Sequence, residues 1–223
     1  MNPILNMILW FLGATLLSFG VSGIFSGKLR WSRRLFLLPY LLLSSVFLVL
    51  FVSLNDIHVM KCVHHNHEWG ILAGILASGV LILNIRSQRK SQTLKGRFLL
   101  FDLIWLGLFY GLMDGLILNA MPVIAVKEMF GGFEAQRGIG SVLLEGGIAL
   151  TLSLIITLFY HIGYKEFRNK SVFLVLVGNT IITLAFVFSN NLLGALISHT
   201  VMHLAAVLRG PETTIQLPPH YSA

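Results

Sequence analysis

The stretch LFLLPYLLLSSVFLVLFVSL, residues 35–54, runs for twenty residues without a charged side chain. A helix needs about 20 apolar residues to cross the hydrocarbon core of a bilayer. The apolar residues are continuous and do not alternate with polar ones, which excludes a tilted strand of a membrane barrel. The stretch therefore predicts a transmembrane helix.

Six further apolar stretches separated by short connections follow the same pattern, at residues 3–25, 70–85, 98–126, 138–163, 171–189 and 192–208. The composition agrees, because 56% of the 223 residues are hydrophobic, 11% are charged and the mean hydropathy is +0.81. We predict an all-α fold, a polytopic integral membrane helical bundle of about seven spans. It forms one transmembrane domain, residues 1–208, followed by an extended tail, residues 209–223.

Basic residues mark alternate connections. They are Lys28, Arg30, Arg33 and Arg34 in the first, Arg86, Arg89, Lys90, Lys95 and Arg97 in the third, and Lys165, Arg168 and Lys170 in the fifth. Basic connections stay in the cytoplasm, so we expect the amino terminus outside and the carboxyl tail inside, in a multi-pass protein of the cell (plasma) membrane. Membrane lipids are then its partners. The net charge of +7 is mostly this orientation signal, and it gives little support for binding nucleic acid.

The motif His199-Thr200-Val201-Met202-His203 lies in the seventh predicted span. A spacing of four residues puts both imidazoles on one face of a helix, where they can share a metal ion or act as an acid and base pair. Ionisable groups are costly in hydrocarbon, so such a pair points to function. The alternative is that each histidine is neutral and bonds a carbonyl of a neighbouring helix.

Other polar residues fall within the predicted spans. Counted at 1.5 Å per residue from each cytoplasmic end, the inner half holds His161, Asp102, His203, Asn179 and His199, and the outer half holds Asp114 and Glu145. The first five could share one cavity, and the last two could share a proton. We expect Asp102 to pair with Arg97 or to reach water. Asp114 has no lysine or arginine in any predicted span to neutralise it, so it must be protonated, hydrogen-bonded, hydrated or metal-bound.

Two or three imidazoles with a carboxylate are typical of a catalytic zinc site that keeps one position open. The metal ligands we predict are His199, His203 and His161, and the catalytic residues are Asp114, His161 and Asn179. Within a membrane, such a site would hydrolyse a bond in a lipid or in a hydrophobic peptide.

Residues 188–203 resemble the last core helix of the CAAX-protease and bacteriocin-processing (CPBP) group of intramembrane metalloproteases, in which a polar turn leads to a histidine followed four residues later by asparagine. His199 matches the family histidine, and His203 stands where asparagine is usual. The resemblance implies metal-dependent hydrolysis within the membrane.

Two weaker segments extend the resemblance. Residues 152–161 are similar to the family's helix that runs from a phenylalanine to a histidine, with Thr157 at the phenylalanine position and His161 at the histidine position. Asp114 is the nearest counterpart of the family's paired glutamates, and Asn119 lies near the position of its arginine. The ceramidase and adiponectin-receptor group is similar in topology and in its paired-histidine final helix.

Two other functions remain open. A b-type haem could be held between His161 and His203, which would make the chain an electron-transfer protein. A non-catalytic metal or proton carrier could capture ions at the outer connection, residues 55–68, which holds four histidines, one thiol and two carboxylates. Asp114, Glu145 and His199 would then form its path through the membrane.

Overall fold

The computed structural model describes residues 2–133, 135 and 138–220. These residues form seven helices long and apolar enough to cross a membrane: Pro3–Lys28, Arg33–Leu54, His67–Ser87, Arg97–Met129, Ile139–Gly163, Ser171–Ser189 and Leu192–Arg209. A short helix, Val59–His64, and a single turn, Lys165–Phe167, lie in the connections, and there is no strand among the residues described. The all-α prediction is confirmed, and the chain is a multi-pass membrane protein.

The helix ends follow from local chemistry. Asn2 caps the first helix, since its side chain accepts a hydrogen bond from the backbone of Ile4 at 2.9 Å, and Pro3 occupies the first helical position, where no N–H is needed. Asn191 caps the seventh helix in the same way, with a bond from Leu193 N at 2.8 Å. Gly210, at a φ of 137°, ends that helix. The sixth helix ends at Ser189 and the seventh begins at Leu192, so the last two helices form a tight hairpin.

The two ends of the bundle differ in chemistry. The basic end holds the connections 29–32, 88–96 and 164–170 together with the tail, and the loop end holds the connections 55–66 and 190–191. Arg33, on the second helix, donates hydrogen bonds to the carbonyls of Leu217 and Pro219. Arg209 bonds the carbonyl of Gln88 at 2.6 and 3.0 Å. The tail therefore folds back against the basic end.

Three glycines on the fourth helix set its contact with the seventh. A Cβ atom at Gly107 would lie 2.5 Å from the Leu204 side chain, and one at Gly111 would lie 2.7 Å from Thr200 Cα. One at Gly115 would lie 3.3 Å from the His199 and Leu196 side chains. The contacts thus recur about every four residues along each helix, and the two helices are antiparallel. Small residues at this spacing let helix backbones approach closely in a membrane.

The fourth helix is irregular near this contact. It widens into π-helical turns at Leu103–Phe109 and Gly115–Ala120. Pro122 follows, and it has no N–H to donate to the carbonyl of Leu118 four residues earlier. That carbonyl instead accepts a hydrogen bond from Ser153 Oγ of the fifth helix at 2.6 Å. Wide turns of this kind are frequent at functional sites, because they free backbone groups for other partners.

Candidate metal centre

Asp114, His199 and His203 bring three potential metal ligands together in the middle of the bundle. Asp114 Oδ2 lies 3.5 Å from His203 Nε2 and 3.8 Å from His199 Nε2. All three residues are buried: Asp114 is 3% exposed, His199 is 4% exposed and His203 is 1% exposed. Ligands bound tetrahedrally at 2.0–2.1 Å are about 3.3 Å apart, and the ligand atoms of the three residues lie within 4.8 Å of one another. This buried group could hold a metal ion.

Both histidines are oriented through their other ring nitrogen. His199 Nδ1 lies 2.8 Å from Asn119 Oδ1, and His203 Nδ1 lies 3.3 Å from the carbonyl oxygen of Leu106. Because each partner is an acceptor, each ring donates from Nδ1, and in a neutral ring the lone pair is then on Nε2, the atom that faces Asp114. A hydrogen bond of this kind behind the ligand is the usual support of a metal-binding histidine.

Asn119 is held in a network of amides and hydroxyls. Its Nδ2 donates to Asn179 Oδ1 and to Thr183 Oγ1, both at 2.8 Å. Asn179 in turn donates to Ser153 Oγ at 2.8 Å. These bonds fix which end of the Asn119 amide faces His199. The structure thus places Asn179, a predicted catalytic residue, two hydrogen bonds from the His199 ring, which it helps to orient through Asn119.

Asp114 is held by a tyrosine. The Tyr40 hydroxyl of the second helix donates to Asp114 Oδ1 at 2.5 Å, and the Tyr40 side chain is fully buried. Its ring stacks on Tyr160, whose hydroxyl lies 2.7 Å from that of Tyr110. One carboxylate oxygen of Asp114 is therefore occupied by Tyr40, and the other is left to face the histidines.

The predicted depth of Asp114 was wrong. The count from helix ends put it in the outer half, away from the histidines, but it lies beside them. The count assumed that all helices end in one plane. The glycine contacts place residue 107 of the fourth helix at the same depth as residue 204 of the seventh. Because the two helices run in opposite directions, Arg97 is then level with residue 214, which is beyond the end of the seventh helix at Arg209. The fourth helix therefore extends past the seventh at the basic end. Each of its residues is closer to that end, relative to the seventh helix, than the count assumed.

The predicted pairing of Asp114 with Glu145 was wrong for the same reason. Glu145 Oε1 instead lies 2.9 Å from Lys127 Nζ in a buried ion pair. Lys127 is one residue past the predicted end of the fourth span, but the helix continues to Met129. Its ammonium also lies 5.3 Å from the ring centroid of Phe133.

The expectation that Asp102 pairs with Arg97 was also wrong. Both its carboxylate oxygens accept hydrogen bonds from Arg34 on the second helix, at 2.8 and 2.9 Å. This contact was not visible in the sequence, because Arg34 is distant along the chain. Asp102 is thereby separated from the histidine cavity and ties the second and fourth helices together at the basic end.

His161 lies outside the three-ligand group but in the same cavity. Its Nδ1 is 2.8 Å from the carbonyl oxygen of Thr157, so its Nε2 also keeps the lone pair. A cavity of about 220 Å³ is lined by His161 together with Asp114, His199 and His203. Asn179 and Thr157 line it as well. All the residues predicted for the site thus border one space.

The outer connection does not assemble a comparable site. In the described part of the chain, the one group of three potential ligands within metal-binding distance is Asp114 with His199 and His203. Cys62, in the loop, is buried, and burial raises the pKa of its thiol to about 11. Its thiolate is therefore scarce at neutral pH.

Several residues of the site were not found from the sequence: Tyr40, Leu106, Ser153 and Thr183. Asn119 was named only for its place near the family's arginine, and its contact with His199 was not foreseen. One available signal was the spacing of Gly107, Gly111 and Gly115, which marks a close helix contact directly around Asp114. Comparison with family models, with curated proteins and with solved structures gave no significant match.

Proposed function

We propose that this protein is a metal-dependent hydrolase that acts within the cell membrane, with zinc held by His199, His203 and Asp114. The observation that carries the proposal is the convergence of two Nε2 lone pairs and one carboxylate oxygen, each fixed from behind by a hydrogen bond. Two histidines and one carboxylate are an established ligand set for catalytic zinc, and such sites leave a fourth position open.

The ion supplies a water-derived nucleophile near neutral pH, because zinc lowers the pKa of its bound water to about 7. The residues of the chain do the rest. Asp114 serves as a ligand rather than as the base, since Tyr40 holds one of its oxygens. His161 then acts as general base, because its unprotonated Nε2 belongs to a ring that borders the same cavity.

The proposal includes a divergent relationship to the CPBP group, with the basic end in the cytoplasm. What supports it is that the three counterparts of the family motifs, Asp114, His161 and His199, line one cavity although they come from three helices. The chain differs from that pattern in having one aspartate in place of paired glutamates, and His203 in place of asparagine.

Neither alternative function has a specific observation in its favour. A haem between His161 and His203 would need the Nε2 atom of His203, which faces Asp114 Oδ2 at 3.5 Å. A carrier path through Glu145 would have to pass its buried ion pair with Lys127. Both alternatives remain outcomes of the test below.

The test is metal analysis and an absorption spectrum of the purified protein in nanodiscs, beside His199→Ala and the matched loop variant His64→Ala. We expect about one zinc per chain in the parent and in His64→Ala, and none in His199→Ala. A Soret band would identify a haem protein instead. Neither metal nor colour, after incubation with zinc, would make the cluster a structural one and overturn the proposal.

Activity is tested separately. The zinc-loaded protein in lipid vesicles is incubated with fluorogenic long-chain esters and amides and with hydrophobic peptides. Hydrolysis should cease in His199→Ala and with a zinc chelator, and should return on adding zinc to the chelated parent. Hydrolysis that survives in His199→Ala would assign the activity to another site or to a contaminant.

A further inference from the structure

The histidine cavity opens sideways toward the lipid, between the third and sixth helices. Val80 on the third helix and Leu174 and Val177 on the sixth line the cavity, yet they are 52%, 58% and 60% exposed. Residues that border the cavity and also lie on the surface of a membrane span mark its mouth. At this mouth a Cβ atom added to Gly178 would have one neighbour, Leu81 Cδ2 at 3.8 Å.

The basic end of the cavity is covered by the tail. Ile215 and Gln216 line the cavity there. The Ile215 backbone N–H donates to the Gln88 side chain at 3.0 Å, and Gln88 donates to Gln216 at 3.2 Å. These bonds hold the tail across the opening that would face water. The mouth between the third and sixth helices is therefore the route that leads from the cavity to lipid.

One polar group in the cavity has no partner among the described residues. Thr157 is 1% exposed and lines the cavity, and its hydroxyl makes no hydrogen bond with residues 2–133, 135 or 138–220. A buried hydroxyl without a partner is costly, because it has lost its hydrogen bonds to water. A ligand with an acceptor oxygen would satisfy it. The cavity thus offers apolar walls at the mouth and a free donor beside the histidines.

We infer that this cavity binds a single-chain amphiphile from the bilayer, with its hydrocarbon between the third and sixth helices and an acceptor oxygen on the Thr157 hydroxyl. The volume of about 220 Å³ is below the roughly 300–1,000 Å³ of sites for drug-sized ligands, so it receives one end of a chain and not a whole two-chain lipid.

A peptide fits this mouth less well than hydrocarbon does. A helix is about 10–12 Å across with its side chains, which the cavity cannot hold. An extended peptide would need partners for its backbone groups within the hydrocarbon region. The mouth offers the side chains of Val80, Leu174 and Val177, which neither donate nor accept hydrogen bonds. The other exposed residue of this lining on the third helix, Asn84, is next to the tail and already accepts a hydrogen bond from Gln88. A hydrocarbon chain has no such requirement.

The inference deepens the proposed function, on which it rests for the fate of the ligand: the substrate would be a long-chain ester or amide whose carbonyl is placed near the metal. Binding itself needs only the cavity, the mouth and Thr157. The two proposals can therefore fail independently.

The experiment is photolabelling in nanodiscs with a long-chain saturated methyl ketone that carries a diazirine a few carbons from the carbonyl group. The ketone offers an acceptor oxygen and cannot be hydrolysed. Labelled residues are mapped by mass spectrometry, and zinc content is measured on the same samples. We expect label on Leu118, Ile182 or Met202, which line the cavity but are buried from lipid.

Matched variants separate cavity binding from ordinary lipid contact. Val80→Trp should abolish label on the buried residues, whereas Leu83→Trp, on the same helix and lipid-exposed but outside the cavity lining, should not. Thr157→Val keeps the shape and removes the hydroxyl, and should lower that label about three- to tenfold, the worth of one hydrogen bond. Removing zinc from the parent with a chelator should leave this label unchanged.

Label confined to lipid-exposed residues, or equal in Val80→Trp and the parent, would overturn the inference. Zinc without buried label would leave the hydrolase proposal standing and refute this site. Buried label without zinc in the parent would support the site and refute the hydrolase proposal. Buried label from a matched hydrophobic peptide but not from the ketone would assign the cavity to a peptide and overturn the inference.

Discussion

The outer connection and the seventh helix both concentrate histidines, but their surroundings differ. Residues 55–68 hold four histidines, of which His58, His64 and His67 are exposed, and none belongs to a group of ligands among the described residues. The seventh helix holds two histidines, both buried, and these meet a carboxylate of another helix. The number of potential ligands in one segment therefore does not by itself create a candidate metal site. A further ligand from another helix must also lie at the same depth in the bundle.

That partner is brought by helix packing. Gly111 and Gly115 flank Asp114 on the fourth helix and let its backbone approach Thr200 and His199 closely. The loop has no such contact, and its histidines can satisfy their hydrogen bonds with water at little cost. In the bilayer water is absent, so each buried polar group must find a protein partner, a ligand or an ion.

The largest effect should come from removing the carboxylate that meets the two histidines of the seventh helix. Asp114→Asn keeps the size of the side chain but loses its charge, and we expect zinc affinity to fall by more than the roughly 10–100-fold that changes behind a ligand produce. The matched loop variant Asp56→Asn should bind zinc like the parent. Isothermal titration with zinc measures both. A loss in Asp56→Asn and none in Asp114→Asn would transfer the metal site to the loop.

A smaller effect on zinc affinity is expected from moving the fourth and seventh helices apart while all three potential ligands are kept in the sequence. In Gly111→Ala the new Cβ would lie 2.7 Å from the Thr200 backbone, so the helices must move apart. We expect weaker zinc binding and a loss of about 1–3 kcal/mol in the free energy of unfolding.

The control for this prediction is Gly147→Ala. It lies in the fifth helix and would meet no atom within 4 Å. It removes the same glycine flexibility without a steric clash. Equal behaviour of the two variants in zinc titration and in thermal unfolding would show that the contact at Gly111 does not position Asp114.

Asn119→Ala should have an intermediate effect on zinc affinity and a small effect on the free energy of unfolding. It removes the acceptor that holds the His199 ring, and such changes typically cost about 10–100-fold in metal affinity. Thr180→Ala is the control, because that hydroxyl donates only to Leu176 O of its own helix, at 2.9 Å. If Asn119→Ala binds zinc as tightly as Thr180→Ala, the amide network does not orient the ligand.

The smallest effect concerns a third histidine environment, at the basic end. His220 Nδ1 lies 2.9 Å from Glu166 Oε1, and the His220 backbone N–H lies 3.1 Å from Glu166 Oε2. Burial alone would raise the pKa of Glu166, but the hydrogen bonds and charge of His220 outweigh it and lower the pKa below its ordinary value of 4.5. The ionised carboxylate therefore favours the docked tail.

A carboxyl group whose pKa is lowered in the folded state stabilises that state at pH values above its ordinary pKa. This stabilisation is lost as the pH falls through the lowered pKa. We expect hydrogen exchange in residues 213–220, corrected for intrinsic rates, to be steady from pH 7 to 5 and to rise below pH 4.5. Glu166→Gln should exchange faster already at pH 7. A tail equally protected at pH 3 and pH 7 would contradict the prediction.

The fold was predictable because hydrocarbon imposes a simple requirement on sequence. Continuous apolar runs predicted all seven helices, and the spacing of His199 and His203 predicted their common face. The position of Asp114 was not predictable from its own helix, because depth counted from a helix end ignores how far neighbouring helices extend past one another. Lys127 was missed since it lies just past an apolar run. Asn119 and Tyr40 carry no spacing that distinguishes them from packing residues.

The close contact of the fourth and seventh helices also has a consequence for biosynthesis. Chains are made from the amino terminus, and the ligands His199 and His203 lie in the final helix. Asp114, Tyr40 and His161 are therefore synthesised before His199 and His203. The three potential ligands can meet only after the last helix has been made and has packed against the glycines of the fourth helix. A chain cut short before residue 192 would keep the hydrogen bond from Tyr40 to Asp114 but would leave the other carboxylate oxygen without its histidines.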